Sequence, residues 1–445
     1  MAEKYLAYPE YKDSGVEWLG EIPKDWEIVP IKYLATLNPK KSNLPQDMMS
    51  AKCSFVPMEK LKFNSLVLDE KKVIKDVYDG YTYFENEDIL IAKVTPCFEN
   101  KNTAIAQNLI NGIGFGSSEI YVLRVNDKAS NRYLFYRLQE AVFISVATAA
   151  MTGAGGLRRV PAETINTYSI AIPEIEEQTQ IANFLDFETA QIDTLIEKQQ
   201  TLIKLLKEKR QAVISHAVTK GLNPDVPMKG SGVEWLGEVP EHWDLVPLKY
   251  LCNFSGGGTP TKDNLSYWTG GTIPWVSPKD MKSFWIGKTQ DYITENAVKE
   301  SSTKLIKAGS LLMVVRSGIL QRTIPIAINT VDVTMNQDMR ALQFNKRMTS
   351  EYAANYIVGN VDKLLFAWSK EGATVESIEH EYLSNSLLPV PPILEQQQII
   401  DKINEQMKTF DNLVLKARKA IQLIQERRTA LISAAVTGKI DVRDW

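Results

Sequence analysis

Two long stretches of the chain repeat apolar residues at steps of three and four. The first runs through Ile181, Leu185, Ile192, Leu195, Leu202, Leu206 and Val213, with Glu188, Gln199 and Lys209 in the heptad slots between them. The second, displaced by 218 residues, runs through Ile399, Ile403, Phe410, Leu413, Ala417, Ala420, Ile424 and Leu431. This spacing predicts helices with a narrow apolar seam and charged flanks, the pattern of a coiled-coil partner. Pro173 and Pro391–Pro392 mark the helix starts, and TKGLNP (Thr219–Pro224) and TGK (Thr437–Lys439) mark the ends. A helix of about 40 residues is about 60 Å long. One that merely covered a neighbouring domain would need a wider apolar stripe and would rarely run so far. Each seam is the natural partner of the other, in either relative direction; a pseudo-dyad across the pair would make them antiparallel.

The stretch ahead of each helix carries short β-branched runs. They are Ile89–Val94, Ile120–Val125, Leu311–Val315 and Ile324–Ile328, set apart by Gly, Asn, Pro and Asp clusters. A mixed α+β fold is expected, built around β-structure. The chain is also duplicated. SGVEWLGEIPKDWEIVPIKYL (Ser14–Leu34) returns 217 residues later as SGVEWLGEVPEHWDLVPLKYL (Ser231–Leu251), and both halves close on an AVT tripeptide, Ala217–Thr219 and Ala435–Thr437. So long a unit is a duplicated domain set and not a solenoid repeat. Internal pseudo-symmetry of this kind suits a target with two parts.

The expected order of parts is a lead-in (1–22), a first globular domain (23–172), a first long helix (173–219) and a linker with the repeated lead-in (220–239). A second globular domain (240–391), a second long helix (392–437) and a tail (438–445) follow.

Composition narrows the function classes. The 445 residues are 44% hydrophobic and 24% charged, which is ordinary for a globular protein with several domains. Cys53, Cys97 and Cys252 show no CxxC spacing, against both a disulfide framework and a structural zinc site. His216, His242 and His380 leave little material for a histidine metal centre. No apolar run approaches the roughly 18 residues of a membrane span, and the polar N-terminus is no signal peptide, so a cytoplasmic protein without membrane contact is expected. The net charge of −3 gives no bulk support to nucleic-acid binding. Any such contact must come from local basic patches.

Motif by motif, catalytic chemistry is missing. GIGFGSS (Gly112–Ser118) falls one residue short of a dinucleotide fingerprint and precedes a strand instead of following one. GGGTPTK (Gly256–Lys262) lacks the spacing of a phosphate loop. No HExxH, GxSxG or metal-spaced carboxylate cluster occurs, nor the Asn/Asp-Pro-Pro-aromatic signature of amino-methyltransferases.

The lead-in, the segment GGTPTKDNLSYWTGGTIPWVSPKDM (Gly257–Met281) and the PPILEQQQII opening of a helix closed by RRTALISAAVTGKI resemble the specificity subunit of type I restriction–modification systems. The first half repeats the order, with FVPMEKLK (Phe55–Lys62) in place of WVSPKDMK (Trp275–Lys282) and IPEIEEQTQIA (Ile172–Ala182) at the helix opening. The resemblance covers nearly the whole chain. It implies two target-recognition domains, each reading one half of a split, asymmetric site on double-stranded DNA. It also implies an antiparallel coiled-coil spacer that sets the gap, with a pseudo-twofold axis. Two modification subunits, methylating adenine N6 with S-adenosylmethionine, would dock on the helices and lead-ins. Two restriction subunits using ATP and magnesium would complete a nuclease. The chain itself would bind no cofactor or metal and carry no catalytic residue. The first domain departs from the pattern by lacking GGTP, so the two half-sites are expected to differ. The competing reading is a two-headed protein-binding scaffold.

Base reading requires donors on loops or helices, together with cations for phosphates. In the first domain the candidates are Lys93, Thr95, Lys101, Arg158 and Arg159, the last two following the Gly-rich loop TGAGGLRR (Thr152–Arg159). In the second they are Arg316, Ser317, Gln321, Arg322, Ser369, Lys370 and Thr374. The loop VRSGILQR (Val315–Arg322) joins arginine, suited to guanine, with glutamine, suited to adenine. Every one of these residues also suits an ordinary solvated loop. Trp18, Trp26, Trp235 and Trp243 are expected to be core or interface anchors. The basic residues Lys204, Lys207, Lys209 and Arg210, echoed by Arg418, Lys419, Arg427 and Arg428, are expected on a solvated flank.

Overall fold

The computed structural model describes residues 5–154, 156–369 and 376–445, without the side chain of Asn43, and each count or absence given refers to those residues. The chain forms two compact units, Met1–Gln199 with Lys419–Trp445, and Gln200–Arg418. Two long helices, α1 (Ile175–Lys220) and α2 (Ile393–Val436), each contribute one end to each unit.

Each unit is built on a sheet whose four central strands run antiparallel, with a parallel edge strand added in the second unit. In the first unit the strand order is Thr103–Ile105, Ile89–Ala92, Ile120–Val125, Ala35–Leu37. The second unit repeats this order with Ile326–Asn329, Leu311–Val314, Met339–Phe344 and Cys252–Gly256, and adds Trp285–Ile286 at the edge. Side chains alternate across the pleat. Ile89, Ile91, Tyr121 and Leu123 face the helical core, whereas Leu90, Ala92, Ile120 and Val122 face a second small sheet. Within the second unit, Leu311, Met313 and Leu342 face the helical core, and Leu312, Val314 and Ala341 the opposite side. Gly114 and Gly116 of GIGFGSS lie within a strand of the second sheet (Ile113–Gly116), where a Cβ on Gly114 would overlap the Phe84 ring. They serve close packing of an aromatic ring, not phosphate binding.

Each unit closes around a lead-in tryptophan. Trp26 is 1% exposed and donates its indole N–H to Glu177 Oε1 at 3.0 Å, near the start of α1. Trp243 is fully buried and donates to Glu395 Oε1 at 3.0 Å, near the start of α2. The neighbouring glutamines are buried too. Gln178 donates to the carbonyls of Pro173 and Lys128 and accepts from the Ser130 N–H. Gln396 does the same with Pro391, Arg347 and Thr349. Buried amides with all partners present tie the helix start to the sheet, because losing one partner strands another polar group away from water.

The far end of the other helix completes each unit. In the first unit, Tyr133 Oη and Arg137 Nη1 donate to the Val436 carbonyl at the end of α2, at 3.1 and 2.7 Å. In the second, Tyr352 Oη donates to the Val218 carbonyl near the end of α1 at 2.8 Å. The chain then leaves each helix through a left-handed glycine, Gly221 (φ +79°) beside Trp243 and Gly438 (φ +70°) against Pro23 and Trp26. Trp18 and Trp235 are less buried; Trp18 stacks on Tyr168 at 5.5 Å and Trp235 packs near Tyr356.

Within each unit the helices run antiparallel: Phe184 meets Trp445 beyond the end of α2, and Asp193, further along α1, meets Arg428, earlier on α2. The seam departs from the strict heptads. Leu195, Leu202 and Leu413 are 47%, 43% and 42% exposed. The inward row instead follows Ile192, Ile196, Gln199, Ile203, Leu206 and Arg210 on α1, and Phe410, Val414 and Ala417 on α2. A straight helix drifts about 20° per heptad, so a seam counted in sevens turns away after two heptads; the added step of four restores it. The helix ends also carry wider apolar stripes, Ile181, Ala182, Phe184 and Leu185 in one unit and Ile399, Ile400 and Ile403 in the other. They cover the sheets as well as pairing with one another.

An added Cβ should be tolerated less at Gly438 than at Gly221. At Gly438 it would overlap the Pro23 ring, whereas at Gly221 it would sit 3.3 Å from the Trp243 ring. Gly221→Ala should cost about 1–2 kcal/mol for the left-handed backbone alone. Gly438→Ala should cost about 2–4 kcal/mol once overpacking is added. Urea unfolding midpoints of the two variants rank them.

Candidate nucleic-acid interface

Strand register gathers most of the candidate residues at one end of each sheet. In the first unit, Ala92 pairs with Ile120 and Leu37 with Leu123, so the exits of Ile89–Ala92 and Ala35–Leu37 share an end with the start of Ile120–Val125. Lys93 and Thr95 leave the sheet there. The Gly-rich loop is a β-hairpin, with Thr152–Ala154 paired to Leu157–Arg159, and it is bonded to that exit. Thr95 N–H donates to the Arg158 carbonyl and Arg158 N–H to Thr95 Oγ1, each at 3.0 Å, while Thr95 Oγ1 donates to the Gly156 carbonyl at 2.8 Å. The Thr95–Pro96 peptide is cis.

The second unit builds an equivalent rim. Val314 pairs with Met339, and Gly256 with Arg340, so the loops after Leu311–Val314 and Cys252–Gly256 share one end. Arg316 bridges to Ser377, Ile378 N–H donates to the Val315 carbonyl at 2.9 Å, and Ser369 bridges to Ile378. Ser317 caps the turn Gly318–Gln321 by accepting from the Ile319 N–H at 3.4 Å. Arg316, Gln321 and Arg322 are exposed. Lys370 and Thr374 lie outside the described residues.

The electrostatics of the rims differ. Arg159 makes a bidentate contact with Glu119 (Nη2–Oε1 2.6 Å, Nε–Oε2 3.0 Å), and Lys93 lies 3.7 Å from the same carboxylate. Arg158 pairs with Glu99 at 3.1 Å. The hydrogen bond from Arg159 holds the Glu119 carboxyl below its ordinary range, against the opposing effect of burial. In the second unit, among the described residues, no carboxylate lies within ion-pair reach of Arg316 or Arg322.

Lys101 stands apart from the rim. Its ammonium is half-buried and donates to the Gln139 carbonyl at 2.9 Å, and burial together with the nearby Arg428 charge lowers its pKa. Arg428 and Arg210 also leave the solvated flank expected for them: each sits in the inward row and pairs across the helices.

Several residues at these sheet ends were not among the candidate contacts. Lys40 and Lys41 follow Leu37 and line a cleft of roughly 500 Å³ with Tyr78, Tyr81 and Tyr83. Lys41 lies 4.6 Å from the Tyr78 ring centroid, and Lys72 lies 3.7 Å from that of Phe55. In the second unit, a Cβ on Gly257 would overlap the backbone at Asn336, and the Gly258 carbonyl accepts from Trp275 Nε1 at 3.0 Å and Thr303 Oγ1 at 2.7 Å. The two glycines anchor the loop, while Lys262 is exposed and Thr259 bonds Gln337. A lysine pair directly after a strand, and a Thr-Pro-Thr-Lys run, were the available signals.

The sequence profile described as the type I restriction modification DNA specificity domain matches twice, at residues 23–205 and 240–424. This chain belongs to that family. The EcoR124I/EcoR124II specificity subunit of Escherichia coli is 40% identical over 187 residues, 42% of this chain and 42% of that protein. The EcoAI specificity subunit, also from Escherichia coli, is 35% identical over 42% of this chain and 33% of its own length. The chain thus spans less than half of these relatives. The MjaVIII specificity subunit of Methanocaldococcus jannaschii is 22% identical over 95% of both chains. Among solved structures, a chain from work on complex assembly and conformational transition of the type I R-M system superposes with a TM-score of 0.72 at 15% identity, covering 93% of this chain and 98% of that one. The HsdS subunit of Thermoanaerobacter tengcongensis gives 0.55 at 15% identity over 94% and 98%. These likenesses show the fold. Each family-profile match takes in one β-rich domain with the first part of the long helix that follows, so each specificity domain carries its own rim. No helix among the described residues is long and apolar enough to cross a membrane.

Removing the arginine should release its carboxylate partner. In Arg159→Ala, Glu119 should titrate closer to an ordinary glutamate, its midpoint moving up in pH. A carboxyl NMR titration of wild type and variant measures that shift. Because the folded-state pKa is depressed, the contribution of this pair to stability is present above the unfolded-state pKa and lost as pH falls through the folded value.

Proposed function

We propose that this chain is the non-catalytic DNA-specificity subunit of a type I restriction–modification complex. Each unit reads one half of a bipartite, asymmetric site on double-stranded DNA, and α1 and α2 set the gap. The observation that carries this reading is one frame displaying two different rims. Sheet order, tryptophan clasp and glutamine bonds repeat between the units, while the loops at the sheet ends differ in length, charge and hydrogen-bonding groups. A frame preserved around variable loops suits one docking geometry and two different base sequences.

In the first unit Lys93, Thr95, Arg158 and Arg159 form the reading edge, joined by Lys40 and Lys41. Arg158 and Arg159 must exchange Glu99 and Glu119 for DNA, which penalises wrong contacts as well as rewarding right ones. Lys101 acts indirectly by holding its loop. In the second unit Arg316, Ser317, Gln321, Arg322 and Ser369 form the edge, with Lys370 and Thr374 in the adjoining segment. Partner subunits supply catalysis, and S-adenosylmethionine, ATP and magnesium belong to them. Two modification subunits dock on equivalent faces. Tyr33, which lines a cleft with the start of α1, and its repeat counterpart Tyr250 are 57% and 63% exposed, and each has the preceding lysine's ammonium about 5 Å from its ring. Two restriction subunits complete the nuclease.

Selection from a random duplex pool with the methyltransferase partner present should enrich one bipartite motif. If none is enriched, the scaffold reading stands instead. Arg316→Ala should cost about 1–3 kcal/mol on the half-site read by the second unit, relax the base preference there and leave the other half-site unchanged. Methylation mapping reads both half-sites at once. A change in both would contradict independent reading by the two units. Tyr33→Ala combined with Tyr250→Ala should reduce co-purification of the modification subunit without altering the unfolding midpoint of the chain.

A further inference from the structure

Arg428 is only 8% exposed, and its guanidinium lies 2.6 Å from Asp193 on α1. It is stacked 5.0 Å from the Phe63 ring centroid, and its Nε has no hydrogen-bond partner. A buried cation of this kind adds little net stability compared with an apolar residue, yet removing its counter-charge is strongly destabilising. Such pairs are best attested where they specify register. The second unit holds the counterpart: Arg210 on α1 lies 2.8 Å from Asp411 on α2. The 218-residue offset of the repeat carries Asp193 onto Asp411 and Arg210 onto Arg428. In both pairs the arginine lies in the inward row of its helix, where an apolar residue would ordinarily sit, and its aspartate lies on the exposed edge of the opposite helix.

We propose that Asp193–Arg428 and Asp411–Arg210 are positioning pairs that select the antiparallel register of α1 and α2, and thereby the gap between the half-sites this chain reads. The proposal about the gap rests on the specificity-subunit reading; the proposal about register does not. Apolar seams alone tolerate slippage, because leucine and isoleucine at successive heptads are interchangeable partners. The charges remove that freedom. A one-heptad slip in one sense would set Arg210 against Arg418, with Asp193 and Asp411 facing Ala435 and Ala217. The opposite slip would set Asp193 against Ile421 and Asp411 against Ile203. Either slip leaves a charge without its counter-charge. Arg210 is more exposed than Arg428, with 43% of its side chain accessible, so the first unit holds the stronger determinant.

The test uses the full chain with Cys97→Ser, and with Glu197→Cys and Glu426→Cys carrying spin labels. Both labels lie in the first unit, on exposed positions of opposite helices. The parent should show one label separation. Asp193→Arg with Asp411→Arg should spread it or add a population displaced along the helices by about 10 Å, one heptad of rise. Adding Arg428→Asp and Arg210→Asp, which swaps both pairs, should restore the parent separation. A double reversal that keeps the parent separation, or a swap that fails to restore it, overturns the register proposal. If the double reversal does not fold, the swap still decides. The same variants, mapped with the methyltransferase partner, should keep both half-sites while the double reversal broadens the gap and the swap narrows it again. An unchanged gap overturns that part. A parent chain that yields no bipartite motif overturns the specificity reading and leaves the label distances to judge register independently.

Discussion

Each unit closes on one lead-in indole, Trp26 or Trp243, held from two directions. The Trp26 and Trp243 N–H groups each reach a glutamate near the start of one long helix, while a left-handed glycine at the end of the other helix packs beside the same ring. An indole this large contributes substantial apolar burial, but its N–H must find an acceptor once water is gone. Supplying the acceptor from one helix and the space from another makes the unit incomplete until both have arrived. Tyr8 adds to the constraint in the first unit: its hydroxyl also donates to Glu177 at 2.7 Å, and burial raises its pKa above the ordinary phenol value. In the second unit His242 meets the corresponding Glu395 at 2.8 Å. The clasp is thus shared while its outer partner differs.

With the frame held, the sheet ends are free to vary. A hairpin bonded to a strand exit through Thr95 and Arg158 holds the side chains of that rim on a firm support. Arg158 and Arg159 are neutralised by Glu99 and Glu119. In the second unit, among the described residues, Arg316 and Arg322 have no carboxylate within ion-pair reach. A net charge of −3 therefore says little about either rim, since the field at a loop depends on its own neighbours.

Much of the fold was legible in the sequence. Proline bracketing located both helices within two residues, and β-branched runs located the central strands at Ile89–Ala92, Ile120–Val125 and Leu311–Val314. The failures have physical causes. Strict heptads placed Leu195, Leu202 and Leu413 inward because seven residues fall short of two full helical turns, and the discrepancy accumulates. Lys101 read as a candidate DNA contact on a loop, but its left-handed backbone and the Gln139 carbonyl draw its ammonium inward. Lys40 and Lys41 carried no motif and became part of an edge only through strand pairing.

The sequence by itself determined the duplication, the two long helices, the α+β class and the family to which the repeated segments point. Those properties are written in local spacing and in self-similarity, which need no knowledge of distant contacts. Tertiary structure alone decided which helix faces turn inward, which arginines are neutralised and which loops share an edge. Glu119 stands 40 residues from Arg159, and Asp193 stands 235 from Arg428. Charges that far apart in the chain interact only after the sheets and helices have brought them within hydrogen-bonding distance.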